Sequence, residues 1–390
     1  FSFSSSEALR YYGLGEKTGA LDKASTKLEF YNTDPLASGD FPADMDPLYV
    51  SVPFWIGMED KLAWGAFLNN SNRLTLDLGE TSPDALSIHA EGGILDIFFF
   101  MGPELPDILR GYSTVTGTAP MPPLWALGYH QCRWSYHPDT EVMNIASQFR
   151  ERDIPLDGIW LDIDYMDGYR SFTWNPVSFP DPAGLVEQLM NIGVNTVAIL
   201  DPGLKVDPDW AIYEAGVTGD YFIKDEFGQD FVGEVWPGSA SFPDFSKATA
   251  RDWWASLVPR LTDYGVKGLW IDMNEPASFI SEDENTVPDS CLVDGDGHPS
   301  TMATFHNLFA LYMAKATRQG LLDHTDSRPF VLSRAGFAGM QKFAALWTGD
   351  TPSNWPILAG LPAMLFTIEL SRPHFVRTTI VGFTVRPFPR

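Results

Sequence analysis

The stretch Gly268-Leu-Trp-Ile-Asp-Met-Asn-Glu-Pro276 joins a short apolar run to a cluster of acidic and polar side chains. Apolar runs of about four to eight residues are typical of strands that are buried on both faces, as in parallel sheets. In a barrel of parallel strands, the groups that act on a substrate lie where the strands end. The stretch therefore predicts a barrel strand that delivers Asp272 to a functional site.

The flanking sequence predicts repeated βα units from about residue 125. Apolar segments predict strands at 126–133, 158–165, 195–202, 268–275, 329–335 and 344–350. Amphipathic segments predict helices near 140–152, 183–192, 246–263 and 302–320. Such repetition over this length favours a (β/α)8 TIM barrel. A seventh strand near 374–381 is weaker, and we expect no room for strand eight before Arg390, so the barrel is predicted to be incomplete.

Three other predicted strands also end in aspartate. They occur in Trp160-Leu-Asp-Ile-Asp-Tyr165, Ile199-Leu-Asp-Pro202 and Trp347-Thr-Gly-Asp350. One such aspartate is an ordinary helix N-cap, but four at equivalent strand ends predict an acidic mouth lined with tryptophan. A carboxyl pair beside stacking rings favours glycoside hydrolysis. A Mg²⁺ or Ca²⁺ site is the alternative, and the tryptophans disfavour it because hard cations prefer oxygen ligands and water.

The segment before the barrel predicts a β-sandwich. Short alternating runs such as Leu48-Tyr-Val-Ser-Val52 and Arg73-Leu-Thr-Leu-Asp-Leu78 are separated by turn residues, which is typical of strands in an all-β unit. Pro120-Met-Pro-Pro-Leu124 breaks this pattern. We therefore expect a sandwich domain over 1–119 and a catalytic barrel domain over 120–390.

Composition excludes several classes of function. The 390 residues carry a net charge of −25, which disfavours binding to nucleic acid or to an anionic membrane. The two cysteines and seven histidines show no metal-ligand spacing, so we expect no metal and no cofactor. We expect no membrane span, because the longest apolar runs are too short, and no signal peptide, because no leader pattern is seen. These features predict a cytoplasmic protein, although the chain begins with Phe1 rather than methionine.

The quoted motifs resemble those of glycoside hydrolase family 31, in the branch of α-glucosidases that carry WxDMNE. Tyr12-Gly-Leu-Gly-Glu-Lys-Thr18 and Asn32-Thr-Asp34 are similar to the N-terminal, galactose mutarotase-like sandwich of that family. This sandwich lends a loop to the rim of the pocket, and Asp34 falls on its sugar-contacting position. The resemblance implies the same two-domain fold here.

The resemblance also implies roles for individual residues. Asp272 would be the nucleophile, Asp350 of the WxGD motif the general acid and base, and Arg334 of Leu332-Ser-Arg-Ala335 a ligand of sugar hydroxyls. We expect Arg334 to keep the pKa of Asp272 low, and apolar and acidic neighbours to raise that of Asp350. Glu275 and Trp347 match supporting positions. The remaining substrate-binding positions fall on Asp162, Asp201, Trp134, Ile163, Ile199, Trp236, Trp270, Met273 and Phe279.

The implied activity is that of a retaining α-glucosidase acting on malto-oligosaccharides and other α-glucosides through a covalent glucosyl-enzyme intermediate. An α-xylosidase is the alternative within the family. We expect a small-molecule substrate as partner; the sequence leaves the oligomeric state open.

The end of the chain departs from the family pattern. Where the family carries LSGxPFxGxDIGGF, this chain reads Leu370-Ser-Arg-Pro-His-Phe-Val-Arg-Thr-Thr-Ile-Val-Gly-Phe383. The aspartate of the family falls on Thr379. These differences predict a reading frame truncated on its C-terminal side, by a frameshift near residue 371. Two other functions therefore stay open, an inactive fragment and a non-catalytic α-glucan-binding protein.

Overall fold

The structure is a computed structural model that describes the chain except residues 7, 36–43, 61, 280–284, 353, 372–375 and 378–390. The first part is a sandwich of two antiparallel four-stranded sheets, in the orders β1-β7-β6-β3 and β2-β4-β5-β8. Its strands are β1 Ser2–Ser4, β2 Arg10–Gly15, β3 Lys27–Phe30, β4 Ser51–Glu59, β5 Leu62–Leu68, β6 Leu74–Asp77, β7 Ala85–Ala90 and β8 Ile97–Met101. This architecture confirms the predicted sandwich.

Strand β4 is buried on both faces, which explains why its sequence is apolar rather than alternating. Trp55 faces the core between the two sheets. Phe54 and Ile56 face the opposite way and join the core cluster that continues into the barrel. Helix α1, Leu105–Thr116, covers this second face, where Tyr112 stacks on Phe54 with ring centroids 3.9 Å apart.

The second part is a parallel sheet of seven strands among the described residues, in the order β20-β19-β18-β15-β11-β10-β9. Its members are β9 His130–Gln131, β10 Gly158–Leu161, β11 Asn195–Leu200, β15 Gly268–Ile271, β18 Val331–Ser333, β19 Ala345–Trp347 and β20 Val376–Arg377. All its pairings are parallel. This is the incomplete TIM barrel that the sequence predicts.

Helices connect the strands as the βα pattern requires. They are α2 Asp139–Glu151, α3 Pro182–Asn191, α4 Ala211–Thr218, α5 Ala248–Leu257, α6 Pro259–Thr262, α7 Met302–Phe305, α8 Phe309–His324 and α9 Trp355–Leu370. Two insertions add a small antiparallel sheet and a hairpin, from β12 Leu204–Lys205, β13 Gly233–Val235, β14 Gly238–Ser241, β16 Leu292–Val293 and β17 Ser300–Thr301.

The strands are all shorter than predicted, because their acidic ends belong to the following loops. The predicted helix 246–263 is two helices: Pro259 begins α6, since proline lacks the N–H that would continue α5. The prediction 302–320 is also divided, into α7 and a longer α8. Of the predicted seventh strand, 374–381, Val376–Arg377 is present, while residues 374–375 and 378–381 lie outside the described part of the chain.

Three helices, α1, α4 and α9, were not predicted at all, and α4 has only eight residues. Helix α9 carries almost no amphipathic pattern, because apolar residues surround it on every side and Pro362 lies inside it. Helix α1 follows the sandwich strands directly, within a segment that the sequence pattern assigns to β structure. Periodicity fails for α9, which is apolar on every side, whereas α1 is amphipathic and was missed because of its β-rich context.

A buried amide network fastens the sandwich to the barrel. The side chain of Asn307, just before α8, accepts a hydrogen bond from Asn32 N at 2.8 Å. Its amide nitrogen donates to Phe30 O at 3.2 Å and to Ser71 O at 3.1 Å. Three backbone groups of the sandwich therefore depend on one barrel side chain.

We expect Asn307→Leu to lower the free energy of unfolding by about 3 kcal/mol, because buried backbone groups lose their partners. Urea unfolding followed by circular dichroism measures this. Asn144→Leu, an exposed position on α2, is the control and should change stability by no more than about 0.5 kcal/mol. Equal losses in the two variants would contradict the role of the network.

Candidate active site

The parallel strands bring the predicted acidic residues to one edge of the sheet. Asp162 follows β10, Asp201 follows β11 and Asp272 follows β15. Hydrogen bonds continue past the strand ends, from Asp272 N to Leu200 O and from Arg334 N to Ile271 O, both at 3.1 Å. The carboxyl ends of neighbouring parallel strands therefore deliver these side chains to one mouth.

Arg334 lies at the centre of this mouth and is almost fully buried. Its Nε and Nη2 donate to the two carboxylate oxygens of Glu275 at 2.8 and 2.7 Å, a bidentate pair. Three further carboxylates surround the same guanidinium. The distances are 3.1 Å to Asp272 Oδ1, 3.5 Å to Asp350 Oδ2 and 3.6 Å to Asp34 Oδ2.

Asp34 reaches the cluster from the sandwich, as the sequence predicts. Its Oδ1 accepts a hydrogen bond from the hydroxyl of Tyr49 at 2.9 Å. The Tyr49 ring lies under the guanidinium, with its centroid 5.1 Å from Arg334 Cζ. Tyr49 was not identified from the sequence, because a single tyrosine in an alternating β run carries no distinguishing signal.

Burial controls the protonation of Asp272 and Asp350. It raises the pKa of Asp272 to about 7 and that of Asp350 to about 6, although Arg334 opposes both shifts. The expectation that Arg334 keeps the pKa of Asp272 low is therefore wrong. Its single charge is shared among four carboxylates, and desolvation of Asp272 outweighs its share. The raised pKa of Asp350 agrees with expectation.

Several polar atoms in the mouth lack a hydrogen-bond partner among the described residues. They are Asp162 Oδ2, Asp201 Oδ1, Asp272 Oδ1 and Trp270 Nε1, all buried. Asp272 Oδ1 lies near Arg334 Nε, but that N–H points at Glu275. Buried polar groups are normally satisfied, so these atoms are poised to accept from, or donate to, the hydroxyls of a bound molecule.

The predicted aromatic residues form two separate groups. Trp160, Trp270 and Trp347 are buried and pack edge to face, with centroids 5.7 and 5.6 Å apart. A second group, which we call the aromatic rim, is partly open to solvent: Trp134, Trp236 and Phe279 are 52, 38 and 39 % exposed. Trp236 lies 5.5 Å from each of the other two rings. The rim is accessible for stacking, whereas the rings of the inner group pack into the core and Trp270 offers only its Nε1 to the mouth.

The predicted apolar wall residues are buried at the same edge. Met273 contacts the cluster directly, since Arg334 Nη2 lies 3.2 Å from its sulfur. Ile163 donates its backbone N–H to Asp162 Oδ1 at 2.7 Å, and the Ile199 carbonyl accepts from Tyr165. Ile163 and Ile199 thus act on the site through their backbones, and their contact with a ligand stays a prediction.

Asn274 is a further site residue that sequence reasoning missed. Its amide donates to Ser333 Oγ at 3.0 Å and accepts from Ala335 N at 3.0 Å. It therefore locks the loop carrying Asp272 to the loop carrying Arg334. Its place between two predicted site residues in the motif was the only available signal.

Arg334 supplies the positive charge among these carboxylates. No group of three or more histidine, cysteine or acidic side chains in the described part of the chain is arranged to hold a metal ion. None of the described helices is long and apolar enough to cross a membrane.

A sandwich, a parallel α/β barrel and a mouth of carboxylates around an arginine define the architectural class of barrel glycoside hydrolases. The model of the family 31 TIM-barrel domain matches residues 119–389. The model of the family 31 N-terminal galactose mutarotase-like domain matches residues 1–77. The chain therefore belongs to glycoside hydrolase family 31. The motifs indicated that the resemblance ends near Ser371. The match to the barrel model extends to residue 389, so the resemblance continues beyond that point.

Relatives agree with this assignment. The chain is 42 % identical to Alpha-glucosidase 2 of Bacillus thermoamyloliquefaciens over 97 % of its own length and 47 % of that protein. It is 34 % identical to an alpha-glucosidase of Saccharolobus solfataricus over 96 % of its length and 56 % of the relative. It therefore spans about half the length of these relatives.

A solved structure of the glucosidase II alpha subunit superposes with a TM-score of 0.91 at 31 % identity. The match covers 99 % of this chain and 44 % of that one.

The burial of Asp201 predicts a pH-dependent stability effect. Burial raises the pKa of Asp201 well above its usual range. A carboxyl that binds its proton more tightly when folded loses stability as pH rises from the unfolded pKa, about 3.9, towards the folded value. We therefore expect Asp201→Asn to raise the melting temperature more at pH 8 than at pH 5.

Asp207→Asn is the matched control for differential scanning calorimetry. Arg170 lowers the pKa of Asp207, so its stabilisation is already complete at pH 5 and its loss should be the same at both pH values. An Asp201→Asn effect that is independent of pH would contradict the raised pKa of this buried carboxyl.

Proposed function

We propose that this chain is the catalytic part of a retaining α-glucosidase, with Asp272 as nucleophile and Asp350 as general acid and base. The observation that carries the proposal is the pair of carboxylates, Asp272 and Asp350, on the single buried guanidinium of Arg334. Retention of configuration needs two carboxyl groups about 5–5.5 Å apart. A shared guanidinium holds two carboxylates close together while it limits their mutual repulsion.

The reaction would proceed in two displacements. Asp272 attacks the anomeric carbon while Asp350 gives its proton to the departing glycosidic oxygen, which forms a covalent glucosyl-enzyme. Asp350 then takes a proton from water as the water oxygen displaces Asp272. The pair must hold one proton, on Asp350, for the first step. The raised pKa values, about 7 for Asp272 and about 6 for Asp350, keep a proton on the pair near neutral pH but place it more often on Asp272, so the reactive form is the minority one.

Substrate hydroxyls would bind to the unsatisfied polar atoms in the mouth. Asp162 Oδ2 and Asp201 Oδ1 can each accept a hydroxyl hydrogen, and Trp270 Nε1 can donate. Asp34 would contact the same sugar from the sandwich side, and Arg334 from the barrel side. The aromatic rim offers open ring faces for the sugar beyond the cleaved bond.

The names of the relatives support an α-glucoside as the substrate. Besides the alpha-glucosidases, they include a probable glucan 1,3-alpha-glucosidase of Oryza sativa and, among solved structures, a family 31 dextranase of Flavobacterium johnsoniae. We therefore propose terminal α-glucosidic bonds of malto-oligosaccharides as the first substrates to assay, with α-1,3- and α-1,6-linked glucosides beside them. An α-xyloside is the test of the alternative specificity.

We expect Asp272→Asn to lower hydrolysis of p-nitrophenyl α-glucoside by at least about a thousandfold, because the first displacement loses its nucleophile. Asp209→Asn, an exposed position, is the control and should retain full activity.

Azide distinguishes the nucleophile from the general acid and base by the stereochemistry of the product. It should give a β-glucosyl azide with a nucleophile-free Asp272→Gly variant and an α-glucosyl azide with Asp350→Gly.

The same assay distinguishes the alternatives. A folded chain that binds 1-deoxynojirimycin but hydrolyses no glycoside would favour the glucan-binding protein. A chain that aggregates would favour the inactive fragment. Equal activity of wild type and Asp272→Asn would contradict the proposed nucleophile.

The pH dependence of kcat/KM follows from the protonation of Asp272 and Asp350. Activity should fall by about tenfold per pH unit on both sides of an optimum near pH 6–7. Below the optimum both carboxyls become protonated and the nucleophile is lost; above it both become ionised and the acid is lost. Asp350→Asn should remove the limb above the optimum. A flat profile from pH 5 to pH 8 would count against this pair.

A further inference from the structure

Tyr49 contacts three components of the site at once, although no substrate-contacting role has been given to it. It is completely buried, in the segment that leads into β4. Its hydroxyl donates to Asp34, and its ring lies under Arg334. Burial raises the pKa of Tyr49 well above its usual range, so the hydroxyl stays protonated and remains a donor.

The third contact joins Tyr49 to the loop that carries Asp350. A Cβ atom added to Gly349 would lie only 2.1 Å from Tyr49 Cε2, and Gly349 has a φ of +59°. Glycine is the residue that adopts this left-handed conformation without strain. The ring of Tyr49 therefore packs closely against Gly349, the residue that immediately precedes Asp350.

The backbone holds Tyr49 firmly in this position. Its carbonyl accepts from Gly336 N at 3.4 Å, and Ser51 N donates to Gly336 O at 3.1 Å. Gly336 is two residues beyond Arg334 in the chain. The backbone around Tyr49 is thus paired with the loop that carries the arginine.

We propose that Tyr49 is a positioning residue that seats the Asp350 loop with its ring and orients Asp34 with its hydroxyl. The inference rests on the proposed function, because it assigns the acid role to Asp350. It makes a sandwich side chain responsible for the geometry of a barrel carboxylate. Removing the ring should therefore impair the step that needs a proton more than the steps that do not.

Tyr112 is a matched control for a purely structural tyrosine. It is also completely buried in the core that the sandwich shares with the barrel. Its ring stacks on Phe54, and its hydroxyl has no hydrogen-bond partner among the described residues. Substitutions at Tyr112 thus report the cost of losing a buried ring without touching the site.

The first experiment compares maltose with α-glucosyl fluoride as substrates. Fluoride leaves without a proton from the enzyme, whereas the glucose of maltose needs one. We expect Tyr49→Leu to lower kcat/KM for maltose by about 100-fold, within the range of general acid catalysis, and kcat/KM for the fluoride much less, because kcat/KM reports the first displacement alone. Tyr112→Leu should lower the two rates equally. Equal losses with Tyr49→Leu would overturn the role of the ring.

The hydroxyl is tested separately with Tyr49→Phe, which keeps the ring. Loss of a hydrogen bond to a charged group should weaken 1-deoxynojirimycin binding by about tenfold, measured by calorimetry. Tyr112→Phe should leave the affinity unchanged. An unchanged affinity in Tyr49→Phe would overturn the orienting role of the hydroxyl.

Crystal structures make the inference independent of activity. In Tyr49→Leu the Arg334–Asp350 contact, 3.5 Å in the parent, should open beyond ion-pair distance, while Tyr112→Leu should preserve it. Preservation in Tyr49→Leu would overturn the inference even if the wild type is active. Loss of the contact in a chain that hydrolyses no glucoside would uphold the positioning role and reject only the proposed function.

Discussion

One buried guanidinium allows the rest of the site to exist. Arg334 is enclosed by Glu275, Asp272, Asp350 and Asp34 at 2.7 to 3.6 Å, and these carboxylates come from the sandwich and from two barrel loops. Desolvating several carboxylates without a cation costs many kcal/mol. The one positive charge cannot balance them all, which is why burial still raises the pKa values of Asp272 and Asp350. The site therefore holds protons as well as charges.

The same burial explains how far the sequence could predict this protein. Short apolar runs that end in acid identified the barrel strands and placed Asp162, Asp201 and Asp272 at one edge, because parallel strands impose that geometry. Motif residues also indicated Arg334 and Asp34 as partners. The pKa of Asp272 was predicted in the wrong direction. The motif identified Arg334 as its charged partner, but a sequence does not show how much hydration the carboxylate loses on burial. Tyr49 was missed because it looks like any other residue of a β run. Helix α9 was missed because its residues are apolar on every side, which leaves no helical periodicity to detect.

Function and stability oppose each other at this mouth. Asp162 and Asp201 keep oxygens without partners among the described residues, and burial raises the pKa values of both carboxyls. A sequence optimised for stability alone would fill these positions with apolar or hydrogen-bonded groups. The surrounding core, with interlocked tryptophans beneath the mouth and Asn274 between two loops, supplies the rigidity that holds such groups in place.

Strand β4 has a consequence for how this architecture can change. Its alternate side chains belong to two cores, Trp55 to one and Phe54 to the other. A substitution on this strand must satisfy two sets of neighbours at the same time, because interiors are close-packed on both sides. Recombination therefore could not exchange the sandwich freely between relatives. A chimaera would retain its barrel only if β4 and the segment before it were inherited together with the barrel.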